Sequence, residues 1–267
     1  MNRLVQLFQH KDKDLLNIYF TAGYPNLNDT ESIILALDQA GVDLIEVGMP
    51  YSDPLADGPT IQYSSEVALA NGMQLDLLFD QIAAARQKTA IPLIMMGYFN
   101  QMMQYGEEKF LKKCSEVGVD GLIIPDLPLY EYEQFYRDLF DKYNIAISFL
   151  ITPQTSTERI LKVDELSNGF IYMVSNSSIT GAKSSISDQQ LAYFNRINAL
   201  DLKSPKLIGF GISSNETYRQ ACNFANGAII GSAFIRALKG AENLPLTIQQ
   251  FVNAIKGRIE SEAATGA

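Results

Sequence analysis

The sequence predicts an α/β protein folded as a closed (β/α)8 barrel, and three observations carry that expectation. Eight short, β-branched apolar runs alternate with segments of helical periodicity, and strict alternation of this kind implies parallel strands joined by helical crossovers. A helix end, a glycine and a strand start recur in Ala40-Gly41-Val42-Asp43-Leu44-Ile45, Val117-Gly118-Val119-Asp120-Gly121-Leu122 and Ala225-Asn226-Gly227-Ala228-Ile229-Ile230. Eight units in 267 residues leave about 33 residues each, the size of a βα module with its loops, which favours closure into a TIM barrel over an open sheet. No linker or low-complexity stretch interrupts the pattern, so residues 1–267 are expected to form a single domain.

The elements follow in order. Residues 1–10 put Leu4, Leu7 and Phe8 on one helical face and lack the apolar block of a secretory signal, so they read as an extra docked N-terminal helix. Strands are expected at 15–22, 44–48, 91–98, 121–127, 146–152, 170–175, 207–212 and 227–231. Helices are expected at 32–39, 75–88, 107–117, 131–143, 156–166, 188–200, 215–224 and 246–259, with a short phosphate-site helix at 233–238 behind the eighth strand. Two connections exceed ordinary turns. Residues 49–59 follow the second strand and hold three prolines, which makes them stiff; residues 176–187 follow the sixth, are rich in serine, and read as a lid. Both sit at carboxyl ends of strands, where barrel enzymes place their chemistry.

Composition removes several classes of function. A net charge of −9 and a pI near 4.7 deny the chain the basic surface that nucleic acid or an anionic membrane requires, so a phosphate ligand has to be held locally. No run approaches the roughly 20 apolar residues that span a bilayer. Cys114 and Cys222 form no CxxC and read as core thiols, which fits a reducing cytoplasm. The single histidine, His10, lies in the terminal helix, leaving no material for a Ser-His-Asp relay or a His-rich metal site. The strand interiors contain no lysine for a Schiff base, Lys183 lying out in the lid, and no P-loop or Rossmann fingerprint occurs. Acid–base catalysis on a phosphorylated molecule, without metal or cofactor, is what remains.

In Leu44-Ile45-Glu46-Val47-Gly48 a carboxyl group interrupts an apolar strand. Period-two alternation separates Ile45 and Val47 from Leu44, Glu46 and Gly48, so Glu46 faces the barrel interior if the first pair faces the helices. Lost solvation there favours the protonated form and brings its titration towards neutral pH, as a general acid needs. The alternative is a structural glutamate satisfied by backbone donors or a hidden arginine. In the loop that follows, Asp53 precedes a proline and suits a turn, whereas Asp57 is the candidate partner, although it could also cap the next helix. The seventh strand closes with Gly209-Phe210-Gly211 and the eighth with Gly231-Ser232. Glycine turns and a helix N-terminus at these places present unpaired N–H groups to an anion, with Gly181 of the lid as a further donor.

The run over residues 44–62, LIEVGMPYSDPLADGPTIQ, resembles the signature of the tryptophan synthase alpha subunit family. The likeness extends through residues 19–25, 125–128, 175–181 and 209–213 and through Gly231-Ser232. It implies a carbon–carbon lyase that cleaves indole-3-glycerol phosphate to indole and glyceraldehyde 3-phosphate. By that correspondence Glu46 protonates ring carbon C3 and then helps remove a hydroxyl proton, and Asp57 binds the indole N–H. Tyr172 lies near the reacting side chain; Phe20 and Phe210 line the indole pocket; Gly181, Gly211, Gly231 and Ser232 hold the phosphate; Thr180 bonds Asp57 when the lid closes. Asn176 stands where the family often has arginine and Ser178 where it has glycine, which leaves lid closure open. The resemblance further implies no cofactor in this chain and a partner, a pyridoxal-phosphate beta subunit in an alpha2beta2 complex. Tyr51, Pro54 and residues 98–105, with Met102 and Met103, are expected on the contact surface. The alternatives are another phosphate-binding barrel, such as a phosphosugar isomerase, or a non-catalytic regulatory barrel.

Overall fold

The structure is a computed structural model that describes residues 2–55, 57–175, 187–209 and 211–258. Among these residues nine strands form one parallel sheet: β1 Leu15–Thr21, β2 Leu44–Gly48, β3 Leu93–Met96, β4 Gly121–Ile123, β5 Ala146–Ile147, β6 Leu150–Ile151, β7 Ile171–Val174, β8 Lys206–Gly209 and β9 Gly227–Ile230. Their spatial order is β5-β4-β3-β2-β1-β9-β8-β7-β6. The two ends of that order, β5 and β6, are consecutive pieces of one bent strand. On one side Ser148 N donates to Leu122 O at 3.1 Å, and on the other Tyr172 N donates to Phe149 O at 2.9 Å. The ladder thereby closes on itself, and the predicted eight-stranded barrel is the observed one.

Successive side chains on a strand point to opposite faces, and the two faces build two cores. Inside the barrel, Leu15, Leu44, Ile94, Ile123, Phe170, Leu207 and Ile229 form one cluster. The helix Arg3–His10 plugs its amino-terminal end through Leu4, with the Phe8 ring 6.0 Å from that of Phe170. Outside, Ile18, Phe20, Ile45, Val47, Leu93 and Ile208 lie in the layer beneath the helices. Each such fully buried side chain stabilises the fold by about 1.5 to 3 kcal/mol before conformational entropy is charged against it.

The sequence repeat has a specific structural meaning at the amino-terminal end. Asp43, just before β2, accepts from Leu16 N at 2.8 Å, and Asp120, just before β4, accepts from Leu93 N at 3.0 Å. Asn226, just before β9, accepts from Lys206 N at 2.7 Å. Each of these side chains satisfies an N–H at the start of the neighbouring strand, where the ladder has run out. Gly41 and Gly118 are left-handed helix C-caps, with φ of 80° and 82°. The third copy departs from the expected pattern: its helix ends at Cys222, and Gly227 is a strand residue whose added Cβ would run into the backbone of Leu15.

Two helices were not expected, Pro59–Ala70 and Phe99–Tyr105. The buried face of the first consists of Ser64, Ser65 and Ala68, too small and too polar to show as an apolar stripe. The second has only 7 residues, too few for a period to stand out. The helix expected at 131–143 instead runs from Leu129 to Lys142 with a π-helical turn at Tyr132–Tyr136.

Candidate active site

The alternation of β2 decides where its carboxyl group goes. Ile45 and Val47 lie in the outer layer and Leu44 in the inner cluster, so Glu46 is on the inner wall, 0% exposed. In the parallel register Tyr19 of β1 sits beside Glu46, and Asn17 sits beside Leu44, one layer nearer the barrel floor. Asn17 Nδ2 donates to Glu46 Oε1, while Oε2 has no partner among the described residues. No arginine or lysine among those residues pairs with it, which removes the hidden-arginine alternative. Burial pushes the Glu46 carboxyl up from 4.5 to about 8, and the Asn17 bond opposes that rise only in part.

Above this layer two glycines make room for two tyrosine rings. A Cβ at Gly48 would collide with the Tyr19 hydroxyl, and one at Gly209 with the ring and hydroxyl of Tyr172. Both tyrosines are buried. Burial pushes both hydroxyls well above the usual tyrosine range, and the charges of Asp57 and Glu46 push them further. They therefore stay protonated and neutral on the inner wall.

Asp57 comes from the loop after β2, and that loop is held at several points. Asp57 N donates to Pro54 O at 3.0 Å, Gln101 Nε2 donates to Pro50 O at 3.0 Å, and the rings of Tyr51 and Tyr98 stack with centroids 4.9 Å apart. The N-cap of the helix Pro59–Ala70 is Gly58, with no side-chain cap bond, so Asp57 is not spent on capping. Its Oδ2 instead accepts from the Tyr98 hydroxyl at 3.0 Å. Tyr98 is itself placed by the helix that follows it, where Asp126 Oδ1 accepts from Phe99 N at 2.8 Å. Burial raises Asp57 from 3.8 to about 6, against the lowering effect of the Tyr98 bond. Asp53 is exposed and accepts from Ser52 Oγ at 2.8 Å, the behaviour of a turn residue.

A narrow pocket at this end of the barrel is lined by Tyr19, Met49, Asp57, Met96, Tyr98 and Pro125 among others. Tyr19 belongs to both halves of the site, since it lines the pocket with Asp57 and is the register partner of Glu46. β8 and β9 are neighbours, so the turns bearing Gly211 and Gly231 leave adjacent strands at the same end. Gly211 has φ of 79°, a left-handed conformation that favours glycine. Gly231 precedes the helix Ser232–Leu238, and a Cβ there would come within 3.2 Å of the Tyr19 ring. Thr180, Gly181 and Phe210, with the departures at Asn176 and Ser178, lie outside the described residues.

Two expectations need correction. Phe20 does not face the pocket: it is fully buried in the layer between strands and helices, because it alternates with Tyr19, and Tyr19 holds the inner position. Met102 is also fully buried and cannot contribute to a contact surface, whereas Met103 is 50% exposed. Sequence reasoning missed Asn17 and Tyr19 and placed Tyr98 only on the outer surface. The available signal was an amide and a hydroxyl two residues apart in an apolar strand.

The family model for the tryptophan synthase alpha chain matches residues 5–263. The chain belongs to that family. It is 58% identical over 256 residues to the tryptophan synthase alpha chain of Flavobacterium johnsoniae, covering 96% of this chain and 100% of that one. It is 56% identical to the tryptophan synthase alpha chain of Christiangramia forsetii, with 96% and 99% covered. Among solved structures, tryptophan synthase subunit alpha from Legionella pneumophila is similar with a TM-score of 0.86 at 31% identity, over 96% of this chain and 98% of that one. A chain of the tryptophan synthase complex from Pyrococcus furiosus gives 0.83 at 30% identity, over 92% and 99%. Membership in the tryptophan synthase alpha chain family removes the phosphosugar isomerase and the non-catalytic barrel as alternatives.

Proposed function

We propose that Glu46 and Asp57 divide the proton work in the cleavage of indole-3-glycerol phosphate, the lyase reaction of tryptophan biosynthesis that goes with this family. The observation that carries the assignment is the separation of the two carboxyl groups. With Glu46 held up at about 8 and Asp57 at about 6, the first is an acid and the second an anion at neutral pH. Glu46 gives its proton to C3 of the indole ring. The positive charge that develops at the ring nitrogen is stabilised by the Asp57 carboxylate, which accepts a hydrogen bond from the N–H. The Glu46 carboxylate then takes the proton of the glycerol hydroxyl as the C–C bond breaks, releasing indole and the aldehyde and restoring the acid. No external proton or electron is consumed, so the cycle calls for no cofactor in this chain.

The walls suit that substrate. Met49, Met96 and the Tyr98 ring offer apolar contact to a flat bicyclic ring, with Phe210 as the further indole contact. Tyr172, kept neutral, is placed to donate to the side chain. Backbone N–H groups at Gly211, Gly231 and Ser232, with Gly181 from the lid, hold the phosphate, which explains how a chain of net charge −9 binds an anion. By the family resemblance Thr180 is the residue assigned to bond Asp57 and help exclude water.

The partner is a pyridoxal-phosphate beta subunit in an alpha2beta2 complex, to which indole passes. Leu55, which is 91% exposed on the loop that carries Asp57, and Met103 offer it an apolar contact beside Tyr51. Among the described residues no helix is long and apolar enough to cross a membrane; a cytoplasmic enzyme of one barrel domain is the reading that goes with the proposed reaction. Indole release from indole-3-glycerol phosphate, measured for the isolated chain and after addition of a beta subunit, tests the proposal. Turnover is expected in the wild type and its loss in Glu46→Gln; no indole from the wild type, alone or with the partner, refutes it.

A further inference from the structure

Asn17 is an amide in an apolar part of the barrel. It is fully buried on the inner face of β1, beside Leu44 in the register, where the surrounding inner cluster includes Leu15, Phe170 and Leu207. A leucine of similar size would lie there without cost, whereas a buried amide is tolerated only when its polar atoms find partners. Nδ2 has one, Oε1 of Glu46; Oδ1 has none among the described residues. Two unsatisfied oxygens, Asn17 Oδ1 and Glu46 Oε2, thus flank one buried hydrogen bond. Local rules broken in this way are characteristic of functional positions.

We propose that Asn17 is a positioning residue for the lyase reaction: its amide holds Oε1 of Glu46 from the layer below, so that the acidic proton sits on Oε2, the oxygen left free to meet the substrate. A neutral carboxyl has one carbonyl oxygen and one O–H. Because Oε1 already accepts from Nδ2, it is the carbonyl, and the proton belongs to Oε2. When that proton moves to C3, the same N–H comes to donate to an anion, and the bond strengthens. Asn17 therefore favours the state that follows transfer, and it keeps Oε2 in place to receive the hydroxyl proton. Among the described residues the other titratable groups in this space are Tyr19 on β1, Tyr172 on β7, Asp57 from the loop after β2 and Tyr98, whose hydroxyl donates to Asp57. Tyr19 and Tyr172 stay neutral, so Asp57 is the other carboxyl group there that changes charge in the working range.

The inference rests on Glu46 being the proton donor, and the test separates the two ideas. Asn17→Leu removes the donor at nearly constant volume, and Asn17→Asp keeps the shape while removing the N–H. Indole release from indole-3-glycerol phosphate is followed from pH 5 to 10 for the wild type, both variants and Glu46→Gln, with thermal unfolding alongside. For Asn17→Leu, kcat is expected to fall about tenfold with KM within about twofold, the scale of one lost hydrogen bond to a charged group. The alkaline limb of kcat/KM should move upward by about half a unit or more, because the lost bond had favoured the carboxylate. Asn17→Asp should move the limb at least as far, since a second carboxyl now adjoins the first. An alkaline limb that stays in place in both variants, or an unchanged kcat, overturns the role of Asn17. Turnover retained by Glu46→Gln instead overturns the underlying assignment of the acid.

Discussion

Replacing Glu46 by glutamine is predicted to stabilise the protein at neutral and alkaline pH while removing its activity. The folded chain keeps Glu46 protonated up to about 8, whereas the unfolded chain releases that proton near the ordinary value of 4.5. Between those two values the folded state binds more protons than the unfolded state, so stability falls as pH rises, and above about 8 the loss is complete. A displacement from 4.5 to about 8 corresponds to at most about 5 kcal/mol, at about 1.4 kcal/mol per unit. Glutamine keeps the acceptor for Asn17 Nδ2 and has no charge to desolvate, so its stability carries none of this dependence. Its unpartnered amide N–H adds a constant offset that does not change with pH. Urea unfolding of both proteins at pH 4, 6, 8 and 9 isolates the effect, because the other carboxylates are common to both. The difference should be flat at low pH, rise in favour of the variant through the interval, and level off. Indole release should fall by about a hundredfold or more in the same variant, the usual worth of a general acid. A stability difference that does not change with pH would refute the reasoning, since Glu46 would then be charged in the folded protein.

Three further outcomes follow from the same geometry. The kcat/KM profile should be bell-shaped, rising through about 6 as Asp57 ionises and falling through about 8 as Glu46 does; a rate that climbs steadily to pH 10 contradicts the assignment of the acid. Tyr98→Phe removes the hydroxyl that lowers Asp57, so the acid limb should move upward with the alkaline limb in place, and movement of the alkaline limb alone would show that Tyr98 serves Glu46 instead. Gly209→Ala puts a methyl group into the Tyr172 ring, which should cost about 1 to 3 kcal/mol of stability and lower turnover; wild-type values of both in calorimetry and the indole assay would show that the Tyr172 ring does not depend on the space left by Gly209.

The sequence by itself determined the architecture and singled out the two carboxyl groups proposed for the chemistry. Alternating apolar strands and amphipathic helices leave a chain of this length few ways to bury its surfaces, and a closed barrel is one that satisfies every strand edge. Glu46 stood out because a lone carboxyl in an apolar strand is costly wherever it points. Asp57 stood out from the loop that holds it, although its freedom from helix capping became visible only when Gly58 proved to be the cap. The tertiary structure alone decided which residues surround them. In β1 both faces are buried, so apolar character is nearly continuous and does not reveal which side is the interior. The family resemblance assigns the pocket to Phe20, and the direction of the strand's inner face gives that place to Tyr19. The partners of the carboxyl groups come from across the chain: Asn17 lies 29 residues from Glu46, and Tyr98 lies 41 from Asp57. Which residues meet at one height in a barrel depends on the register between strands, and register is set by the closure of the whole sheet rather than by any segment within it.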